Sequence, residues 1–145
     1  MRIIGCGNRE RGDDGAGILV AERLRECGLK ADTSTGEAAS LIEDWNGADD
    51  VIVIDTVITG APVGTVKVWD GQAPLDSATA TASTHGLGVA EAIALARVLG
   101  HLPARLRVYG VEGRRLQPGA VMSPEVQRGV EEVVRRIISD LAITR

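Results

Sequence analysis

Three polar segments of the 145-residue sequence carry the side chains most suited to chemistry. The first is Gly5–Gly15, which contains two consecutive aspartates; the second is Asp55; the third is Ser83–Gly86, which contains one of the two histidines. Two carboxylates and an imidazole that meet in space would form either a metal pocket with oxygen and nitrogen ligands or a carboxylate–histidine acid–base site. The sequence leaves both possibilities open.

The acidic pair of the first segment, Asp13 and Asp14, stands at the start of a predicted helix. An aspartate in this position can cap the helix, which stabilises it by ~1 kcal/mol. We expect one aspartate to act as the cap and the other to point into the site. Negative charge here would repel a phosphate, and the glycine spacing fits neither the dinucleotide fingerprint nor the phosphate-binding loop. The segment therefore favours carboxylate chemistry over nucleotide binding.

Asp55 and His85 have both a structural and a functional interpretation. Asp55 ends the β-branched run Val51–Ile54, which is typical of a strand covered on both faces. A buried carboxylate needs a cation, hydrogen-bond donors or a raised pKa, although Asp55 could also simply cap the following turn. A lone histidine is usually structural, but the small residues around His85 allow a ligand to approach closely. His101 is predicted to be a solvated loop residue.

Other reactive arrangements are missing from the sequence. Cys6 has no histidine near it in the sequence, Ser83 lies in no GxSxG elbow, and the helical zinc-protease motif HExxH is absent. A hydrolase with this sequence would therefore act through carboxylates together with a metal ion or an activated water.

The elements that must position these residues alternate between strand and helix along a chain of one domain, residues 1–145. Apolar runs predict strands at Met1–Cys6, Val51–Asp55, Thr65–Trp69 and Leu106–Tyr109. Helical spacing predicts helices at Ala16–Cys27, Glu37–Trp45, Gly88–Leu99 and Pro124–Leu141. Alternation of this kind indicates an α/β fold with a mostly parallel sheet and helices on both faces.

Three details of these elements can be checked against the structure. Thr65–Trp69 is expected near an edge of the sheet because Lys67 interrupts it, and Gly88–Leu99 is expected to be largely buried because it is nearly all apolar. Ser123 is expected to cap the last helix. In an open α/β fold the functional site lies outside the carboxyl ends of the strands, which is where all three polar segments fall.

Composition excludes several classes of protein. The net charge is −4 and there are only three aromatic residues, which argues against nucleic-acid binding. We find no signal peptide and no apolar run of the ~20 residues that a membrane span needs. Cys6 and Cys27 have no CxxC spacing, so neither a zinc ribbon nor a disulfide framework is expected. A reducing cytoplasm is the expected compartment.

Taken together, the polar segments resemble the hydrogenase maturation endopeptidases. The matching segments, in chain order, are Gly5–Asn8, Asp13–Gly17, Val51–Asp55, Ser83–His85, Gln117–Gly119 and Met122–Val126. The resemblance covers nearly the whole chain. It implies a single three-layer α/β/α domain with a twisted, mostly parallel sheet of about five strands.

The resemblance also implies a site and a substrate. The metal-contacting residues of the family would correspond to Asp14, Asp55 and His85, with Asp14 one methylene shorter than the glutamate found in many relatives. The substrate would be a hydrogenase large-subunit precursor that already holds nickel and loses a C-terminal extension. Nickel would thus be presented by the substrate, although a divalent cation could occupy the site in the free enzyme.

The mechanism stays open between two hypotheses. Nickel could polarise the scissile carbonyl while Asp14 or Asp55 acts as general base for a water, or the metal could serve only for recognition while an aspartate cleaves without its help. Gly71–Thr84 and Arg9–Gly12 would form the groove for the tail of the substrate, with Arg9 and Arg11 facing acidic groups. A small metal-dependent hydrolase or amidase and a non-catalytic nickel-sensing module are the alternatives. A monomer is expected.

Overall fold

The computed structural model describes residues 1–73 and 88–143. Within these ranges the chain forms five strands: β1 Arg2–Cys6, β2 Asp32–Ser34, β3 Asp50–Val57, β4 Val66–Asp70 and β5 Arg105–Glu112. The same ranges contain four α-helices: α1 Ala16–Glu26, α2 Ala38–Trp45, α3 Gly88–Leu99 and α4 Pro124–Ile143. A short 3-10 turn, Gly12–Gly15, leads into α1.

The strands form one sheet in the order β2-β1-β3-β5-β4. All neighbours are parallel except β4, which runs antiparallel to β5 at the edge. The prediction of a mostly parallel sheet is therefore confirmed, as is the edge position of the strand that contains Lys67. β2 was not among the predicted strands, because its three residues are Asp32, Thr33 and Ser34 and no apolar run marks them.

Helices cover both faces of the sheet, which confirms the three-layer α/β/α architecture. α1 and α4 pack together on one face, and α2 and α3 pack together on the other. β3 supplies alternate side chains to the two cores: Ile52 and Ile54 face the first pair of helices, while Val51 and Val53 face the second. Strand side chains alternate in this way because their period is two residues, and burial on both faces explains the unbroken apolar run.

The strand order reverses at β1, and this creates a crevice. The chain passes from β1 through α1 to β2 on one side, then through α2 to β3 on the other side. Since α1 and α2 lie on opposite faces of the sheet, these helices diverge where they begin, after the carboxyl ends of β1 and β2. Open α/β sheets bind their ligands at such a switch point.

Glycines hold α1 directly against this end of the sheet. A Cβ atom on Gly17 would lie 2.3 Å from Cys6 O and 2.5 Å from Ile54 O, and one on Gly5 would lie 2.1 Å from Gly17 O. No L side chain fits at either position, because backbone atoms occupy the space on both sides. The turn that precedes α1 is therefore fixed by main-chain contact with β1 and β3.

Two predictions about element boundaries and burial were wrong. β3 does not end at Asp55 but continues to Val57, so this carboxylate lies inside the strand rather than after it. α3 is not largely buried: Leu95, Val98 and Leu99 are exposed, Val98 by 84%. Composition alone suggested burial here, whereas the helix packs against α2 through only one of its faces.

No helix in the described ranges is long and apolar enough to span a membrane.

Candidate active site

Asp14 lies in the 3-10 turn between β1 and α1. The turn is closed by a hydrogen bond from Asn8 N to Asp14 O at 3.1 Å. Gly7 makes this approach possible, because its φ is +140° and a Cβ there would lie 2.0 Å from Asp14 O. The Asp14 side chain is only 3% exposed, yet it lines a cleft of about 440 Å³ together with Arg11 and Glu37.

Asp55 lies on the neighbouring strand β3, at the same end of the sheet. It pairs with Gly110 of β5 and is 1% exposed. Its Oδ1 accepts a hydrogen bond from Thr56 N at 2.8 Å. The strand continues beyond it, so Asp55 does not simply cap a turn after the strand.

The thiol of Cys6, the last residue of β1, lies near both carboxylates. Burial raises the pKa of this thiol, and the negative charges of Asp55, Asp44 and Asp14 raise it further. A carboxylate disfavours thiolate formation in this way only when it is close. Asp14 and Asp55 therefore each lie near Cys6, Asp14 in the turn after β1 and Asp55 near the carboxyl end of the neighbouring strand β3. The raised pKa also fits the expectation that Cys6 is not a nucleophile, since the thiolate is the reactive form.

Asp13 does not cap α1, so the prediction of a capping aspartate was wrong. Neither the 3-10 turn nor α1 has a side-chain cap. The Asp13 carboxylate instead accepts hydrogen bonds from Arg114 N and Arg115 N, both at 2.8 Å. It also accepts from Ser123 N at 2.6 Å and Ser123 Oγ at 2.9 Å. Asp13 thus ties the turn to the segment between β5 and α4.

The backbone of Asp13 adds to the same attachment. Asp13 N donates to Arg115 O at 2.8 Å, and Thr56 Oγ1 donates to Asp13 O at 2.7 Å. The residue is fully buried. Burial alone would raise the pKa of its carboxyl group, but the hydrogen bonds from Arg115, Ser123 and Arg114 outweigh burial and hold the pKa below its usual range. Ser123 directly precedes α4, and its hydroxyl donates to Asp13; that Ser123 caps this helix stays a prediction.

A fourth buried carboxylate, Glu112 at the end of β5, organises the loop after β3. It accepts hydrogen bonds from Thr59 N at 2.8 Å, from Thr59 Oγ1 at 2.6 Å and from Gly60 N at 3.3 Å. Lys67 Nζ donates to Thr59 Oγ1 at 3.2 Å. The sequence analysis did not identify Glu112. Glu112 follows the apolar residues of a strand in the sequence, as Asp55 does, and this position could have identified it as a candidate.

The third predicted ligand, His85, lies outside the described residues, as do Ser83 and most of the predicted Gly71–Thr84 loop. The start of that loop is held by Arg97, which donates to Gly71 O at 3.1 Å and to Ala73 O at 3.0 Å. Within residues 1–73 and 88–143, no three His, Cys, Asp or Glu side chains are arranged to hold a metal ion. The part of His85 in the site therefore stays a prediction.

The two arginines predicted to flank the site have different surroundings. Arg9 forms an ion pair with Glu22 of α1. Arg11 donates from Nε to Leu116 O at 3.0 Å. Both line the cleft that contains Asp14. The Arg9–Gly12 segment thus forms part of the cleft wall, as expected for a groove beside the carboxylates.

This geometry defines a class of site: two buried carboxylates at the switch point of an open α/β sheet, beside a cleft. Carboxylate oxygens are suitable ligands for a divalent cation, and a carboxylate in such surroundings can also accept a proton from water. No nucleophile elbow and no phosphate-binding loop lies between β1 and α1.

Residues 32–140 match the family model described as hydrogenase maturation protease. This match covers more than half of the chain, and the chain belongs to the hydrogenase maturation protease family, a family of peptidases.

Individual relatives agree with this assignment. The chain is 28% identical over 148 residues to the hydrogenase expression/formation protein HupD of Thiocapsa roseopersicina, covering 97% of this chain but 66% of that protein. It is 25% identical over 146 residues to the hydrogenase 2 maturation protease of Escherichia coli, covering 96% of this chain and 88% of the relative. The solved structure of the [NiFe] hydrogenase maturation protease HybD from Thermococcus kodakarensis superposes with a TM-score of 0.79 at 26% identity, covering 98% of this chain and 99% of the other.

Proposed function

We propose that this protein is an endopeptidase that removes a C-terminal extension from a nickel-loaded hydrogenase large-subunit precursor. Family membership supports the reaction class. The observation that carries the site is the placement of Asp14 and Asp55, both buried, beside the carboxyl ends of the neighbouring strands β1 and β3.

In this proposal Asp14, Asp55 and His85 contact the nickel that the precursor presents. Nickel is then part of the substrate, and its presence licenses cleavage. The two carboxylates lie on separate elements, a turn and a strand, whose relative position is fixed by the contact of Gly17 with Cys6 and Ile54. A site held on such rigid supports keeps its ligands in place before the substrate arrives.

The chemical step in the proposal is attack of water on the scissile peptide carbonyl. Asp14 or Asp55 takes the proton from that water, and the proton passes to the amine that leaves. General-base assistance of this kind contributes roughly 10²–10⁴-fold in rate. Asp14 is the residue of the pair that lines the cleft, which supports its access to a bound peptide.

The test is cleavage of a nickel-loaded precursor, read as loss of a C-terminal peptide by intact mass. Wild type is compared with Asp14→Asn, Asp55→Asn and His85→Ala, and nickel-free precursor is included. Asp49→Asn serves as the carboxylate control because Asp49 is exposed at the opposite end of β3, and His101→Ala is the histidine control because His101 is exposed after α3.

We expect wild type and both controls to release a defined peptide only from the nickel-loaded precursor. The three site variants should be slower by at least about 100-fold. Cleavage that survives all three substitutions would confirm the peptidase and exclude the proposed site. Failure of wild type to cleave, with nickel-dependent binding retained, would favour a non-catalytic nickel-sensing module.

A further inference from the structure

Two loops at the edge of the cleft are joined into one surface. Asn8–Gly12 contacts Gly113–Gly119: Gly119 N donates to Glu10 O at 2.8 Å, and a Cβ on Gly12 would lie 2.4 Å from Arg115 O. The buried carboxylate of Asp13 holds the second loop through Arg114 N and Arg115 N. The backbone that carries the exposed side chains of this surface is therefore well fixed.

These loops reverse the charge of the protein locally. The whole chain has a net charge of −4, whereas the two loops hold four arginines and a single acidic residue, Glu10. Arg9 is already paired with Glu22. We call the remaining three, Arg11, Arg114 and Arg115, the arginine rim.

The guanidinium groups of the arginine rim are available to a partner. All three residues are exposed. Across residues 1–73 and 88–143, none of them forms an ion pair with a carboxylate. Arg11 uses only its Nε, in the bond to Leu116 O, so its two terminal nitrogens can still donate. Two such nitrogens match the two oxygens of a carboxylate.

The arginine rim also lies beside the proposed site of cleavage. Arg11 and Asp14 line the same cleft of about 440 Å³. Arg114 and Arg115 are attached to the same turn as Asp14, because Asp13, the residue before Asp14, binds their backbone N–H groups. A peptide that reached Asp14 through this cleft would pass Arg11 and could extend toward Arg114 and Arg115.

We propose that the arginine rim recognises carboxylate groups on the peptide segment that enters the cleft, which makes that segment of the substrate acidic. This inference rests on the proposed function for its location, but carboxylate binding can be measured without any cleavage.

Chemistry favours a carboxylate-bearing peptide over a nucleic acid. The same cleft contains Asp14 and Glu37, and the chain as a whole is acidic. A nucleic acid has a negative charge at every phosphate and would be repelled on either side of the rim, whereas a peptide can place carboxylates at the rim and uncharged residues beside Asp14 and Glu37. The carboxylates of the peptide could come from acidic side chains or from its terminal carboxyl group. Both have the same chemistry, and the experiment separates them.

The experiment measures binding of short labelled peptides to the purified protein by fluorescence anisotropy. One peptide alternates Gly and Glu with both ends blocked; a second has Gln in place of Glu; a third is the Gln peptide with a free terminal carboxyl group. A single-stranded oligonucleotide of equal charge is the fourth probe. The protein variants are Arg114→Gln/Arg115→Gln, which leaves the Arg11 bond intact, and the triple variant that adds Arg11→Gln. Arg105→Gln is the matched control, because Arg105 is exposed at the opposite end of β5.

We expect the Glu peptide, or the peptide with the free carboxyl group, to bind more tightly than the blocked Gln peptide. Loss of an exposed ion pair typically weakens binding by up to about fivefold, so the double variant should bind about fivefold to tenfold more weakly and the triple variant more weakly still. The difference should fade in about 1 M salt, where the Debye length is ~3 Å. Arg105→Gln should match wild type.

Equal binding of all three peptides, unchanged binding by the triple variant, or an equal loss in Arg105→Gln would each overturn the proposal. Oligonucleotide binding as tight as that of the Glu peptide would also overturn it, in favour of a general polyanion surface. Because these results need no cleavage, they differ from failure of the proposed function, which appears only in the precursor assay.

Discussion

Replacement of Asp13 by asparagine tests whether this residue is the attachment that holds the site together. Asparagine preserves the shape of the side chain but replaces one acceptor oxygen with an NH₂ group. The four hydrogen bonds that the carboxylate accepts come from Arg114, Arg115 and Ser123. One carbonyl oxygen can keep about half of them, and the amide group would face the N–H donors that remain.

The expected cost follows from these lost bonds. A buried donor without a partner costs about 1–3 kcal/mol, and roughly two such donors would remain, so Asp13→Asn should lower the free energy of unfolding by about 3 kcal/mol. For a chain of this size that corresponds to a decrease of about 10 °C in Tm. The measurement is urea denaturation followed by circular dichroism, with Asp49→Asn as the control, expected to stay within about 0.5 kcal/mol of wild type.

The pH dependence gives an independent check on the charge of Asp13. Its folded-state pKa lies below the 3.8 of an unperturbed carboxyl group, so the stabilisation that ionised Asp13 provides is fully present above that pH. It is lost as the pH falls through the folded-state pKa. The gap in stability between wild type and Asp13→Asn should therefore shrink below about pH 4. This reasoning would be refuted if the free energy of unfolding of Asp13→Asn lay within about 1 kcal/mol of the wild-type value at neutral pH. It would also be refuted if the difference between the two free energies did not change with pH.

Three further predictions concern other parts of the molecule. Gly17→Ala should lower the free energy of unfolding, measured by urea denaturation, by at least about 3 kcal/mol, because the added methyl group would clash with the backbone oxygens of Cys6 and Ile54. A free energy of unfolding close to that of wild type would show instead that α1 can move away from the sheet. Iodoacetamide at about pH 8 should label the exposed Cys27 and spare the buried Cys6, so intact mass should show one adduct in the native protein and two after denaturation. Tyr109 donates a hydrogen bond to Asp140 at 2.9 Å, and its pKa is raised to about 12, mainly by burial. The stabilisation that protonated Tyr109 provides should therefore be present below about pH 10 and be lost as the pH rises through 12. An ultraviolet titration of Tyr109 with an ordinary tyrosine midpoint would contradict this.

The sequence predicted those features of the fold that depend on local pattern. β1, β3 and α4 were located because their apolar residues recur at strand or helix spacing. β2 was missed because its residues are polar, and it joins the sheet through backbone pairing with β1. The exposed face of α3 was missed because its composition is apolar throughout and contains no signal of which face packs.

The candidate site was only partly predictable for a related reason. Asp14 and Asp55 could be placed together because parallel strands bring their carboxyl ends to one edge. The role of Asp13 could not be foreseen, since its partners Arg114, Arg115 and Ser123 lie about 100 positions away in sequence and carry no local signal. Glu112 had a local signal, its position at the end of an apolar strand, but its role could not be foreseen because its partner Thr59 lies in another loop.

The two outer strands have a consequence for how a peptide can bind. An extended peptide can add to a sheet as an extra strand, and main-chain hydrogen bonds then supply affinity with little dependence on sequence. Here β2 is only three residues long and begins with exposed Asp32, while β4 carries Lys67 and ends with exposed Asp70. Short length and charge are the features that protect a sheet against such addition. We therefore expect a substrate peptide to meet the strands end-on and to be selected mainly by its side chains.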